Sequence, residues 1–210
     1  MTFRTILAAI LLSASATAAG AQSAVEAFLS VCGNPKVSAR EAVRTCSKAI
    51  ATGDLSKQQE AAAALNLGAA LMSLETPEQA VEAYDRALAA RPDWALALAG
   101  RAGARTATGD LPGAAVDWNR AVQMAPNDPQ ILSGRGAFRL SAGNAAGALD
   151  DFDRAAAAGG RDHDLTFNRA LALAELGRDA DAEQALSAVL HDRPDDVGAR
   201  LNRARLRAAR

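Results

Sequence analysis

The sequence predicts an all-α fold, a solenoid of stacked helical hairpins, and three observations carry that prediction. Small residues recur every 34 residues at Ala80, Ala114, Ala148 and Ala182, and again at Gly68, Ala102, Gly136 and Ala170. A bulky apolar residue keeps the same step at Tyr84, Trp118, Phe152 and Leu186. Helix breakers keep it at Pro92, Pro126 and Pro194, with Gly160 in the third place. Small residues mark where two helices touch, the bulky one fills the gap between them, and the breaker ends the pair. Self-similarity at this period is the mark of a helical array whose units bury their apolar faces only by stacking.

The elements follow in order. Residues 1–21 read as a signal peptide: Arg4, the short apolar run Ile6 to Leu12, then Ala19-Gly20-Ala21 before Gln22. The run is too short to span a bilayer, and no other stretch reads as a membrane span. Residues 22–60 read as a degenerate helical hairpin. Val25 to Cys32 is one helical run, Gly33-Asn34-Pro35 breaks it, and Ser38 with Glu41 forms a capping box for the next. Ser56 with Gln59 caps the following helix, and Thr76-Pro77-Glu78-Gln79 is expected to cap its partner in the same way. Gly109, Gly143 and Gly177 mark the matching turns between helices. Residues 197–210 carry a first-helix pattern alone, as a capping helix needs.

These residues resemble the tetratricopeptide repeat family, from Asn66-Leu67-Gly68 through Ala80, Tyr84 and Ala87 to Pro92 in the first unit. The repeats would run 61–94, 95–128, 129–162 and 163–196. Ala64, Leu98, Leu132 and Thr166 stand at the family's usual tryptophan place, so looser packing is expected at Thr166. The resemblance implies a right-handed α-α superhelical solenoid of tetratricopeptide repeats with first helices on the concave side. It also implies a groove lined by Ala62, Leu65, Ala69, Met72, Leu96, Ala99, Gly103, Ser133, Ala137, Leu140, Phe167, Leu171 and Glu175. That set lacks the lysine, arginine and asparagine of a carboxylate clamp. It suits an amphipathic helix or an extended peptide with small side chains. A shallow groove partly filled by its own chain is the other reading.

Charge excludes little but directs attention. The chain has 23 basic and 24 acidic residues, and loss of Arg4 with the signal moves the formal net charge from −1 to −2. A near-neutral balance does not point to nucleic acid. Cys32 and Cys46 both follow the cleavage point, and an even count in an exported chain points to a disulfide. A free thiol pair or a metal site are the alternatives. A metal would want more ligands, and His163 and His191 are far away in sequence.

Arg101, Arg135, Arg169 and Arg203 form a ladder at the 34-residue step, with Arg105, Arg139 and Arg207 one turn later. The ladder is either a basic track for an anion or a set of arginine–aspartate braces using Asp117 and Asp151. The C-terminal helix carries Arg200, Arg203, Arg205, Arg207 and Arg210 and no acid, which fits a solvated cap or contact with an anionic headgroup or acidic patch. No metalloprotease, serine-hydrolase or phosphate-loop motif occurs. Asp150-Asp151 and Asp195-Asp196 are adjacent pairs, expected to be solvated or capping. The expected function is a non-catalytic protein-interaction scaffold of the bacterial periplasm, with no cofactor or metal and a protein or peptide partner. The alternative is a structural or self-associating (homo-oligomeric) component of a cell-envelope assembly.

Overall fold

The computed structural model describes residues 25–208, and every regular element among them is a helix. The expected signal peptide, 1–21, lies outside the described residues, as does Arg210. Helix α1 covers 25–32. It is followed by α2 (Ala39–Ala51), α3 (Lys57–Ser73), α4 (Pro77–Ala90), α5 (Ala95–Thr108) and α6 (Leu111–Met124). Then come α7 (Pro129–Ser141), α8 (Ala145–Ala157), α9 (His163–Glu175), α10 (Asp179–Asp192) and α11 (Val197–Ala208). The chain forms two compact units, meeting in sequence between Asp110 and Leu111.

In the first unit, α3 packs against α2, α4 and α5, and α4 against α5. Tyr84 is the central wedge. Its ring lies so close to the backbones of α3 and α5 that a Cβ added to Gly68 or Gly100 would come within 2.7 or 2.5 Å of it. Leu71, Ala80, Ala83 and Ala104 complete the cluster. Burial pushes the Tyr84 phenol up to about 12. Cys32 and Cys46 are placed as a bonded pair with Cα atoms 4.9 Å apart, covered by Ala63, Leu29 and Leu55.

In the second unit the same wedge is Phe152, fully buried, and a Cβ on Gly136 would meet its ring at 2.6 Å. Burying a side chain of that size contributes about 1.5–3 kcal/mol. Trp118 lies against Gly134 with its indole N–H buried and unbonded. At the last pair, Ala170, Leu186, Val189 and Leu190 pack with Ala199 of α11. Ala64, Leu98 and Leu132 are buried, whereas Thr166 is half-buried and its hydroxyl donates to the Asp162 carbonyl.

The ends follow local chemistry, with two departures. Ser56 and Gln59 make a reciprocal capping box, whereas the box expected of Ser38 and Glu41 is half made: Ser38 accepts from the Glu41 amide, and the Glu41 carboxylate takes Arg44 at 3.5 Å. Thr76 does not cap α4, contrary to expectation. Its hydroxyl turns back and donates to the Leu71 carbonyl, which also accepts from the Leu74 and Thr76 amides at the end of α3. Pro77 does occupy the first turn of α4. The turns after α5, α7 and α9 use left-handed Gly109, Gly143 and Gly177, and the first repeat puts Glu75 there with φ of 57°. A side chain in that region costs roughly 1–2 kcal/mol.

Candidate functional site

The concave-side candidates fall into one set per unit. In the first, Leu65, Ala69 and Met72 lie on α3 and Leu96, Ala99 and Gly103 on α5, two helices in direct contact. In the second, Ser133, Ala137 and Leu140 lie on α7 and Phe167, Leu171 and Glu175 on α9, which also touch. All twelve are half-buried or exposed, and Leu96 is 49% exposed. Leu65 and Met72 also lean on the Tyr84 cluster, and Phe167 packs on the Leu186 cluster and over Gly198. Part of each surface is therefore held by the chain's own core.

A hollow of about 460 Å³ lies elsewhere in the first unit, between α2, α3 and α4. Val43, Ile50, Leu67, Leu71 and Ala83 line it, with Glu82 and Arg86 at its rim. None of the twelve candidates takes part. Sequence reasoning passed over it, although Val43 and Ile50 stand seven residues apart on one face of α2 and Leu67 replaces the ladder arginine.

The ladder is a set of braces. Each rung reaches a polar group 16 residues back, on the preceding second helix. Arg101 donates to Asp85 at 2.6 Å, Arg135 to Asn119 at 3.2 Å, Arg169 to Asp153, and Arg203 to the Ser187 hydroxyl at 3.3 Å. Arg135, whose backward partner is neutral, also holds Asp151, 16 residues ahead, through Nε at 2.9 Å and Nη2 at 2.6 Å. Arg139 adds a third bond to that carboxylate at 2.8 Å. Asp151 is fully buried and Arg135 8% exposed. This corrects the expectation that Asp150-Asp151 is a solvated pair, since only Asp150 is exposed. A buried carboxylate persists because three guanidinium bonds replace its water. An anion track would need these cations unpaired, so the brace reading holds for Arg135 and Arg139.

Asp196 behaves as a cap. Its carboxylate accepts from the Ala199 amide at 2.7 Å and meets His163 Nε2 at 2.8 Å. The amide bond first, and His163 second, hold its carboxyl below the usual range. Among the described residues, no three of His, Cys, Asp and Glu come together as a metal site, and no helix is long and apolar enough to cross a membrane.

Paired helices with a small-residue seat, a bulky wedge and a left-handed turn, repeated along the chain, define a helical-repeat protein. The chain belongs to the tetratricopeptide repeat family, whose model matches residues 39–93, 65–129 and 139–197. That fold supports a protein–protein interaction scaffold, and proteins of the family are generally non-catalytic. No curated protein matches the chain at a significant level. Among solved structures it is similar to a tetratricopeptide repeat protein from Parabacteroides merdae (TM-score 0.69, 19% identity, covering 89% of this chain and 72% of that one). It is also similar to YrrB, described as a TPR protein with an unusual peptide-binding site (TM-score 0.62, 22% identity, 78% and 82%). A third is PilW, described as a widely conserved type IV pilus biogenesis factor (TM-score 0.66, 22% identity, 71% and 69%). At these identities the likeness is one of fold.

Proposed function

We propose that this protein is a non-catalytic scaffold of the bacterial periplasm that holds a peptide or amphipathic helix against its first helices. The observation that carries this reading is the character of the twelve first-helix positions. All are accessible in some degree, and ten of them are apolar or glycine, Ser133 and Glu175 being the exceptions. Such a surface gains affinity by covering apolar area and is indifferent to a terminal carboxylate. Export is supported by the pattern of residues 1–21 and by a cysteine pair suited to an oxidising compartment. The working unit on this reading is four repeats, 61–94, 95–128, 129–162 and 163–196. The hairpin 22–60, stapled by Cys32–Cys46, precedes them and the helix 197–210 follows.

The test is affinity enrichment from envelope extract with oxidised residues 22–210 and a folded control carrying Ala99→Glu and Ala137→Glu. Capture by the first and loss by the second is the expected result. A partner kept by both moves the interface to another face and favours the structural-subunit reading.

A further inference from the structure

We infer that α11 is a seat for an acidic amphipathic helix of a partner protein. The inference concerns α11, which holds none of the twelve groove candidates, and stands whether or not they bind.

The exposed face of α11 is defined by register with α9, 34 residues earlier. Val197, Arg200, Leu201, Ala204, Arg207 and Ala208 are exposed. Their counterparts on α9, from His163 to Ala174, are all buried or half-buried. At 100° per residue these six share one side of α11, with exposed Arg205 at its border, while Ala199 and Leu206 on the other side pack into the Leu186 cluster. Val197 and Leu201 are 74% and 50% exposed. On α9 the corresponding side is covered in part by its second helix, α10, through Ala170 and Leu186.

The ladder states what charge a helix packed on this face brings. Arg101 and Arg169 each take a carboxylate 16 residues back. Arg135 has the neutral Asn119 there and takes Asp151 from the helix that follows. Arg203 has the neutral Ser187, so among the described residues its partner is a hydroxyl. By the Arg135 pattern its carboxylate belongs on the next helix to pack against α11. Arg207, two periods after Arg139, bonds Glu183 yet remains exposed on the same side. Arg200 and Arg205 add positive charge, and α11 contains no acid.

The seat states what kind of wedge fits. Aromatic wedges sit on glycine: Tyr84 on Gly68 and Phe152 on Gly136, where a Cβ would come within 2.7 and 2.6 Å. The 34-residue register pairs the alanine seats with wedges of different size, Ala102 with Trp118 and Ala170 with Leu186. Ala204 occupies the same register, so it takes a bulky apolar wedge. Two of the chain's own second helices place an acid one residue before the wedge, with alanine four before and three after: Ala114, Asp117, Trp118 and Ala121, and Ala148, Asp151, Phe152 and Ala155.

The test uses a helix-constrained synthetic peptide with the sequence of residues 145–158 and the change Phe152→Leu, titrated against the purified full chain. Binding is expected to weaken about tenfold with Ala204→Asp in the protein or with Asp151→Lys in the peptide, and to fall with salt. Ala204 is exposed, so its substitution tests the seat without unfolding the chain, and circular dichroism verifies this. No binding, or equal binding to Ala204→Asp, overturns the inference. Self-association abolished by Ala204→Asp would overturn it in favour of a second copy. Binding to phosphatidylglycerol vesicles in place of the peptide would do so in favour of a lipid surface.

Discussion

Leu67 and Arg135 occupy the same place in their helices, two periods apart, and their surroundings are opposite. Leu67 is half-buried, leans on both the Tyr84 and the cysteine clusters, and borders the 460 Å³ hollow. Arg135 is buried and bonded to a carboxylate that water does not reach. One backbone register thus accepts an apolar seam or an ionic one. The two should fail differently. Trimming an apolar seam removes contacts in proportion to the atoms lost. Removing one member of the ionic seam leaves the other buried without its counter-charge.

The largest expected effect follows from that asymmetry. Asp151→Ala should cost about 3–5 kcal/mol in urea unfolding, because it strands Arg135. Leu67→Ala should cost about 2 kcal/mol, the low end for a leucine already beside a hollow. The double change Arg135→Leu with Asp151→Leu should recover most of the loss. A double variant as unstable as Asp151→Ala would mean that packing geometry, and not stranded charge, sets the penalty.

Next in size is the cysteine pair, which belongs to the apolar side of the comparison. Cys32→Ser with Cys46→Ser should lower stability by about 3 kcal/mol, the value for closing a loop of this length. Thiol titration of the unfolded, unreduced chain should find no free thiol. Two free thiols would remove the staple from the account.

Glycine substitutions give a smaller and signed contrast. Gly136→Ala should cost about 1–3 kcal/mol despite the better helix former, because the new methyl meets the buried Phe152 ring. Gly103→Ala, on α5 with nothing within 4 Å of the new atom, should gain up to about 1 kcal/mol. Calorimetric melting temperatures read both.

The smallest effect is at Asp196. Its carboxyl is depressed in the folded chain, so its contribution is present above the unfolded value of about 3.9 and fades as pH falls through the lower folded value. Asp196→Asn should flatten that part of the acid-unfolding profile and leave neutral pH behaviour largely unchanged.

The 34-residue step made the helix pairing legible in advance, because seat, wedge and breaker are each a residue type in a fixed place. The arginine–aspartate braces were half legible. Asp151 was named as a partner, but the same carboxylate was also read as solvated, since adjacent acids look alike until packing sends Asp150 outward and Asp151 inward. The backward step of 16 residues to Asp85, Asn119, Asp153 and Ser187 was missed because it mixes acids, an amide and a hydroxyl. Thr76 misled because a cap is a matter of rotamer, and its hydroxyl found a nearer carbonyl. The hollow beside Leu67 was not visible because absence of a side chain leaves no motif.

The cysteine pair has a mechanical consequence. With the bond closed, tension entering from the N-terminal side passes from Cys32 to Cys46 through the sulfurs, and the segment between them stays slack. The 14-residue separation would otherwise pay out roughly 45–50 Å of extended chain. A single molecule pulled from its ends should therefore give a first unfolding step shorter by about that length when oxidised than when reduced.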